Sequence, residues 1–209
     1  MNSSQKQSKF YLILILGLMS AIGPLSIDMY LPAFPSIAKG LNSSIERVTL
    51  SLSSFFIGIS IGQLVYGPLL ERFGRKIPLY FGLSLYAVAA FACATSVSVE
   101  MLILFRFLQA LGGCVGMVAS RAMVRDLFDV KDNAKVFSTL MLVIAVSPII
   151  APTLGGFITT YLGWRYIFGM LIIVISMIIA GIYFLLPDSK GPDVHYSLKP
   201  AAILSGFGS

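Results

Sequence analysis

The feature that most constrains this chain is a sixfold recurrence of apolar runs, at roughly residues 10–31, 48–70, 77–95, 101–122, 136–158 and 166–186. Each is about 20 residues long, enough for a helix to cross the ~30 Å of hydrocarbon in a bilayer. The rest of the chain cannot offset them with a solvated surface. Hydrophobic residues make up 57% and charged residues 11%, whereas a soluble domain carries about 25% charge. Mean hydropathy is +0.89. In lipid each run must satisfy its own backbone polar groups, which leaves the helix as its form. The predicted fold class is therefore an all-α membrane protein with six transmembrane helices. Lys6 and Lys9 precede the first run as they would a signal peptide. That run exceeds the ~7–15-residue core of a signal peptide, and further runs follow, so it reads as a retained helix.

The formal net charge is +6, and its distribution speaks for topology rather than for nucleic acid. Lys6, Lys9, Arg72, Arg75, Lys76, Arg121, Arg125, Lys131, Lys135, Lys190 and Lys199 fall on one side, eleven in all, against Lys39, Arg47 and Arg165, three, on the other. The positive-inside rule then predicts both termini in the cytoplasm. Three helices followed by three more start on opposite faces, the layout of the inverted repeat found within one half of many secondary transporters. Residues 1–187 read as the bundle. Residues 188–209, opening with DSKGPDVHYSLKP, read as a cytoplasmic linker stub.

Several functions are excluded early. The single histidine, His195, lies in that tail, so no metal site and no Ser/His/Asp set is expected, nor a cofactor or enzymatic activity. Cys93 and Cys114 stand in separate apolar runs and read as small buried hydrophobes. The informative residues are the costly ones. Asp28 and Arg106 are the charged residues that fall inside the runs without ambiguity, away from the basic ends, each costing about 2.5–3.5 kcal/mol near the bilayer centre. Asp28 falls in the outer third of the first helix. Arg106 lies about 8 Å into the fourth at 1.5 Å per residue, so the two sit at similar depth. Gln109, three residues after Arg106, shares its face. One reading places both charges on a shared polar cavity, with or without direct contact; the other has each snorkelling to the interface.

Prolines sharpen the first reading. Pro24, Pro32 and Pro35 bracket Asp28, and Pro148 and Pro152 are expected to interrupt the fifth run in SPIIAPTLGG. Such breaks persist in lipid where neighbouring helices or water satisfy the freed carbonyls. A carboxylate beside one can be hydrated and can exchange a proton, which suits a pathway better than a lipid-facing wall. Gly58 with Gly62, and Gly112 with Gly116, have the spacing that lets helix backbones approach. Tyr11, Tyr30, Phe34 and Phe55 fit either a cavity lining or an interfacial belt.

The motifs, taken in order, resemble one family. GPLLERFGRK (67–76) is similar to the loop signature of the major facilitator superfamily, RFLQALGG (106–113) to its fourth-helix signature, and SPIIAPTLGG (147–156) to its fifth-helix antiporter signature. DMYLPAFP (28–35) and WRYIF (164–168) resemble the Bcr/CflA-type drug-efflux branch, named for bicyclomycin and chloramphenicol resistance. The resemblance implies the N-terminal six-helix half of a major facilitator fold. It also implies proton-coupled antiport of small hydrophobic drugs across the bacterial cytoplasmic (inner) membrane. By motif position it assigns substrate and proton coupling to Asp28, Arg106 and Gln109. Gly67, Glu71, Arg72, Gly74, Arg75 and Lys76 would form a cytoplasmic gate, and Asp126 would complete its charge cluster if the helix end continues far enough for Glu71 to meet Arg75. Ser147, Pro148, Ala151, Pro152, Gly155 and Gly156 would form the antiporter helix.

This sequence departs from the family pattern in having Glu71 for aspartate, Ala110 for a fourth-helix glycine, and Ser147 and Ala151 for fifth-helix glycines, which predicts a looser helix approach there. The expected partners are the lipid bilayer, a small-molecule drug and protons, without nucleic acid. The family has twelve helices, so three expectations stand for this chain: a fragment, a half-transporter pairing with a second six-helix half or with itself, or one of two separately encoded chains. Rival functions are a proton-coupled uptake symporter and a non-transporting half-size interaction protein.

Overall fold

Backbone hydrogen bonding does not stop where apolarity stops, and the helices of this protein overrun their apolar stretches. A computed structural model describes residues 3–186, with side chains from Phe10 to Leu186. Among the described residues there are helices and no strand: α1 (Ser3–Asp28), a 3-10 turn (Leu31–Ala33), α2 (Phe34–Gly40), α3 (Ile45–Arg72), α4 (Lys76–Ala94), α5 (Val99–Leu127), α6 (Val130–Tyr161) and α7 (Arg165–Leu185). Six segments are long and apolar enough to cross a membrane; the first, Phe10–Gly40, joins α1, the turn and α2. The basic stretch 123–135 between the fourth and fifth apolar runs is nearly all helix, so Arg121, Arg125, Lys131 and Lys135 ride on helix ends. The predicted bundle boundary at 187, the linker stub and His195 lie outside the described residues.

Local chemistry sets the starts. Ser44 and Ser98 hold extended backbone and accept hydrogen bonds from the amides of Arg47 and Met101, at 3.4 and 3.3 Å. Glu46 and Glu100 follow in the first turns, where the helix dipole favours an acid. Arg47 pairs with Glu100 across the two starts, an exposed contact that fixes little.

The packing carries the inverted repeat. α5 packs most extensively on α3 and α4 and also meets α1, while α1 packs on α6 and α7, and α4 on α7. Exchanging the first crossing with the fourth, the second with the fifth and the third with the sixth maps these contacts onto one another. The pairing of α3 with α5 becomes that of α6 with α1, and α4 with α5 becomes α7 with α1. Glycines permit the closest approaches. A Cβ on Gly58 would lie 2.6 Å from the Phe107 carbonyl oxygen, one on Gly112 2.6 Å from that of Gly82, and one on Gly116 2.7 Å from that of Met19. The two expected glycine pairs thus differ: Gly58 and Gly62 both face α5, whereas Gly112 faces α4 and Gly116 faces α1.

The expected interruption of the fifth crossing is corrected. α6 is one continuous helix through Pro148 and Pro152. Each proline removes one amide donor, to the carbonyls of Ile144 and Pro148, and the adjoining turns carry the helix on. The first crossing does break: α1 continues through Pro24 and ends at Asp28, and the helix resumes at Phe34, after Pro32 and with Pro35 in its first turn. Cys93 and Cys114 are buried free thiols.

Candidate functional site

Arg106 lies two turns into α5 with no solvent exposure. One guanidinium nitrogen donates to Gln109 Oε1 at 2.8 Å, the i, i+3 partner expected from sequence, and the other to the Ser26 carbonyl oxygen at 3.2 Å. The break in α1 supplies that carbonyl. A continuing helix would pair it with the Tyr30 amide, which instead donates to Ile27 at 3.1 Å. The cation is stacked between rings, its central carbon 4.0 Å from the Phe55 centroid and 4.3 Å from that of Tyr30, with Phe168 at 6.0 Å. Aromatic faces attract a desolvated cation. Hydroxyls hold the surroundings in place: Tyr30 with Ser51 at 2.6 Å, and Tyr86 with Ser26 at 2.5 Å. Among the described residues no carboxylate pairs with Arg106. Its Nε and the Gln109 Nε2 are buried without partners.

Asp28, the last residue of α1, is half-buried, and its Oδ2 accepts from the Ser147 hydroxyl at 3.0 Å. Among the described carboxylates it alone stands within the interior of a crossing. Glu46, Glu71, Glu100, Asp126 and Asp132 occupy first or last helical turns, and Asp129 caps α6. The two costly charges do not meet. Arg106 on α5 takes the backbone carbonyl of Ser26, whose hydroxyl meets Tyr86 on α4, while the Asp28 carboxylate, about 200° around a helix from that side chain, meets Ser147 on α6. The shared cavity expected from their matching depths is corrected on the arginine side, where packed protein encloses the guanidinium. That enclosure excludes snorkelling there as well.

On α6, Ser147, Ala151 and Gly155 recur every four residues and are all buried. A Cβ on Gly155 would collide with the Met29 carbonyl, so the helices come close despite the departures at 147 and 151. Pro148 is exposed and Pro152 and Gly156 are half-buried; a Cβ on Gly156 would meet only Pro32, at 3.9 Å.

The basic end holds a compact charge cluster. Arg75, 5% exposed, donates through Nε to Asp126 at 2.7 Å and through a terminal nitrogen to Glu71 at 2.9 Å. Glu71 and Arg75 meet although the helix does not continue between them. α3 ends at Arg72, and Gly74, at φ 78°, turns the chain back in the left-handed region. Burial, the largest single influence on the Arg75 guanidinium, works to lower its pKa, but the bonds and charges of Asp126 and Glu71 prevail and raise it. Arg72 lies over the Phe73 ring, Lys76 opens α4, and Gly67 faces open space.

Sequence reasoning missed Ser26, Ser51, Tyr86 and Phe168 as supports of the arginine. Hydroxyl residues within apolar runs were the available signal, since each must find a partner there. Tyr30 and Phe55 belong to neither a belt nor an open cavity, being packed against the cation, while Tyr11 is exposed near the helix start.

Comparison with known proteins places these features in a lineage. The profile of the Major Facilitator Superfamily matches residues 16–205. The uncharacterized MFS-type transporter YdgK of Bacillus subtilis is 42% identical over 170 residues, covering 80% of this chain and 42% of the relative. The bicyclomycin resistance protein homolog of Haemophilus influenzae is 36% identical over 204 residues, covering 98% and 51%. A crystal structure of a mutant peptide transporter, POT, in complex with alafosfalin shares the fold with a TM-score of 0.70 at 18% identity, covering 95% of this chain and 42% of that one. The chain thus spans about half the length of the curated relatives it matches.

Proposed function

The chain belongs to the major facilitator superfamily, of the Bcr/CflA type, and on that footing we propose that it supplies one six-helix half of a drug:proton antiporter. The exporter takes small hydrophobic drugs out of the cytoplasm in exchange for entering protons, with the basic end of the bundle facing the cytoplasm. The observation that carries this reading is Asp28. Proton coupling needs a titratable group within the membrane that water can reach, and the half-exposed carboxylate at the broken end of α1 is one. Drug transport as the cargo rests on the resistance named for the H. influenzae relative. Arg106, enclosed and held by Gln109, anchors the freed end of α1 to α5. Glu71, Arg75 and Asp126 clamp α3 to α5 at the cytoplasmic end, in the state in which that end is closed.

A second six-helix unit, either a copy of this chain or another half, faces α3 and α6. In these two helices only 28% and 17% of the most apolar window is buried, against 50% in α1 and α5. α3 presents Thr49, Ser53, Ser60 and Gln63 on that open side, a poor match for acyl chains.

The test is drug-driven proton movement. In inside-out vesicles acidified within, adding bicyclomycin or a hydrophobic antibiotic should release protons, and Asp28→Asn should reduce that release about tenfold or more. Drug uptake with no proton release, or release that Asp28→Asn leaves intact, would refute the reading. Protons moving in the same direction as the drug would indicate a symporter instead.

A further inference from the structure

The fifth-helix signature that SPIIAPTLGG resembles usually has glycine where Ser147 stands, and a purely steric view of that position asks only for a small residue. The geometry shows more. The Ser147 hydroxyl donates to Asp28 Oδ2 at 3.0 Å, its side chain is 4% exposed, and it is the one hydrogen-bond partner of that carboxylate among the described residues. Burial matters because the enclosed Ser147 hydroxyl is satisfied by its bond to Asp28 Oδ2, while the half-buried carboxylate keeps its other oxygen open.

The other charged or titratable groups on the helices packed against α1 are directed elsewhere. Arg106 on α5 is bonded to Gln109 and Ser26. Glu100 at the start of α5 pairs with Arg47, Tyr161 is exposed at the end of α6, Arg121, Arg125, Asp126, Lys131, Asp132 and Lys135 are at helix ends, and Arg165 at the start of α7 donates to the Ser96 carbonyl. Cys114 is buried towards α3, and Tyr166 and Tyr183 are exposed on α7.

We propose that Ser147 is a positioning residue for proton coupling: its hydroxyl holds the Asp28 carboxylate against α6, so that loss of the carboxylate's charge loosens the contact between α1 and α6. The inference rests on Asp28 being the proton-exchanging group. A charged carboxylate accepts a hydroxyl hydrogen bond more strongly than a neutral acid does. Charging and discharging Asp28 therefore tightens and slackens the contact between the broken end of the first crossing and the fifth. Ser147 lies directly before Pro148, whose missing amide already removes one bond from the α6 ladder, so α6 is softened beside the contact.

The test separates hydroxyl from size. Ser147→Gly restores the residue typical of the family and Ser147→Ala keeps the side chain small, while Ser147→Thr keeps the hydroxyl. Drug-driven proton release is measured for these variants together with Asp28→Asn and the double variant Asp28→Asn/Ser147→Ala, alongside drug binding. The proposal expects a roughly tenfold slower exchange in both the glycine and the alanine variants with drug affinity unchanged, and recovery in the threonine variant. It expects no further loss on adding Ser147→Ala to Asp28→Asn. A readout free of transport is the infrared carboxylate stretch assigned by its absence in Asp28→Asn. It should shift in Ser147→Ala and return in Ser147→Thr. Exchange undiminished in the glycine and alanine variants, or a carboxylate band that Ser147→Ala does not move, overturns the positioning role while leaving the antiport reading intact. Exchange that survives Asp28→Asn removes the antiport reading, and the positioning role with it.

Discussion

At the scale of the residue, Arg106 shows how a buried cation is held with no carboxylate paired to it among the described residues. Two rings, a glutamine amide oxygen and a helix-end carbonyl surround it, a combination that suits a planar cation with several donors. Lysine offers a point charge on a flexible stem and cannot bridge Gln109 and Ser26 while lying flat between rings. Arg106→Lys is therefore predicted to lower exchange by about tenfold or more although the charge is kept; wild-type rates in that variant would show that charge alone suffices. Arg75 makes the opposite case, a buried cation satisfied by two acids. Removing it deletes the two ion pairs that tie Glu71 at the end of α3 to Asp126 on α5. Arg75→Ala is expected to lower stability by about 1–3 kcal/mol and to expose the α3–α4 connection to aqueous labelling from the basic end. Unchanged thermal unfolding together with unchanged labelling would contradict the clamp.

At the scale of the element, the close approaches predict where added volume is tolerated. Gly58→Leu would force α3 off the Phe107 carbonyl and is expected to destabilise the bundle by about 1–3 kcal/mol, read as a lower unfolding temperature in detergent. Gly67→Ala meets nothing within this chain and should leave that temperature unchanged. The six crossings were legible because an apolar run of sufficient length has a single outcome in lipid. The helix ends were less so: α5 and α6 continue through the basic residues between them, since a charged side chain outside hydrocarbon is no obstacle to a helix. Asp28 and Arg106 were legible as the residues whose cost demanded a reason. Their separation was not, because depth can be counted along a sequence whereas the direction a helix turns each side chain depends on its neighbours. The Ser26 carbonyl meets α5 and the Asp28 carboxylate meets α6, and only the packing of the three helices decides that. Ser147 read as a lost glycine until its hydroxyl was seen against the carboxylate.

At the scale of the whole molecule, the inverted repeat gives α3 and α6 equivalent, weakly buried positions. Gln63, on the open side of α3, is the probe of what covers them. A cysteine there is predicted to cross-link to a helix outside this bundle in native membranes, giving a species with more than six crossings; reaction with lipid-soluble reagents alone would mean that α3 faces lipid. The central claim is narrower: the break in the first crossing brings water to Asp28 while Arg106 stays sealed behind it. The direct measurement replaces Cys93 and Cys114 by alanine, places single cysteines at positions 28 and 106, and reacts each in intact membranes with a membrane-impermeant maleimide applied from both faces. Rapid labelling at 28 with protection at 106 is the predicted result, and protection at 28, or labelling at 106 as fast as at 28, would contradict it.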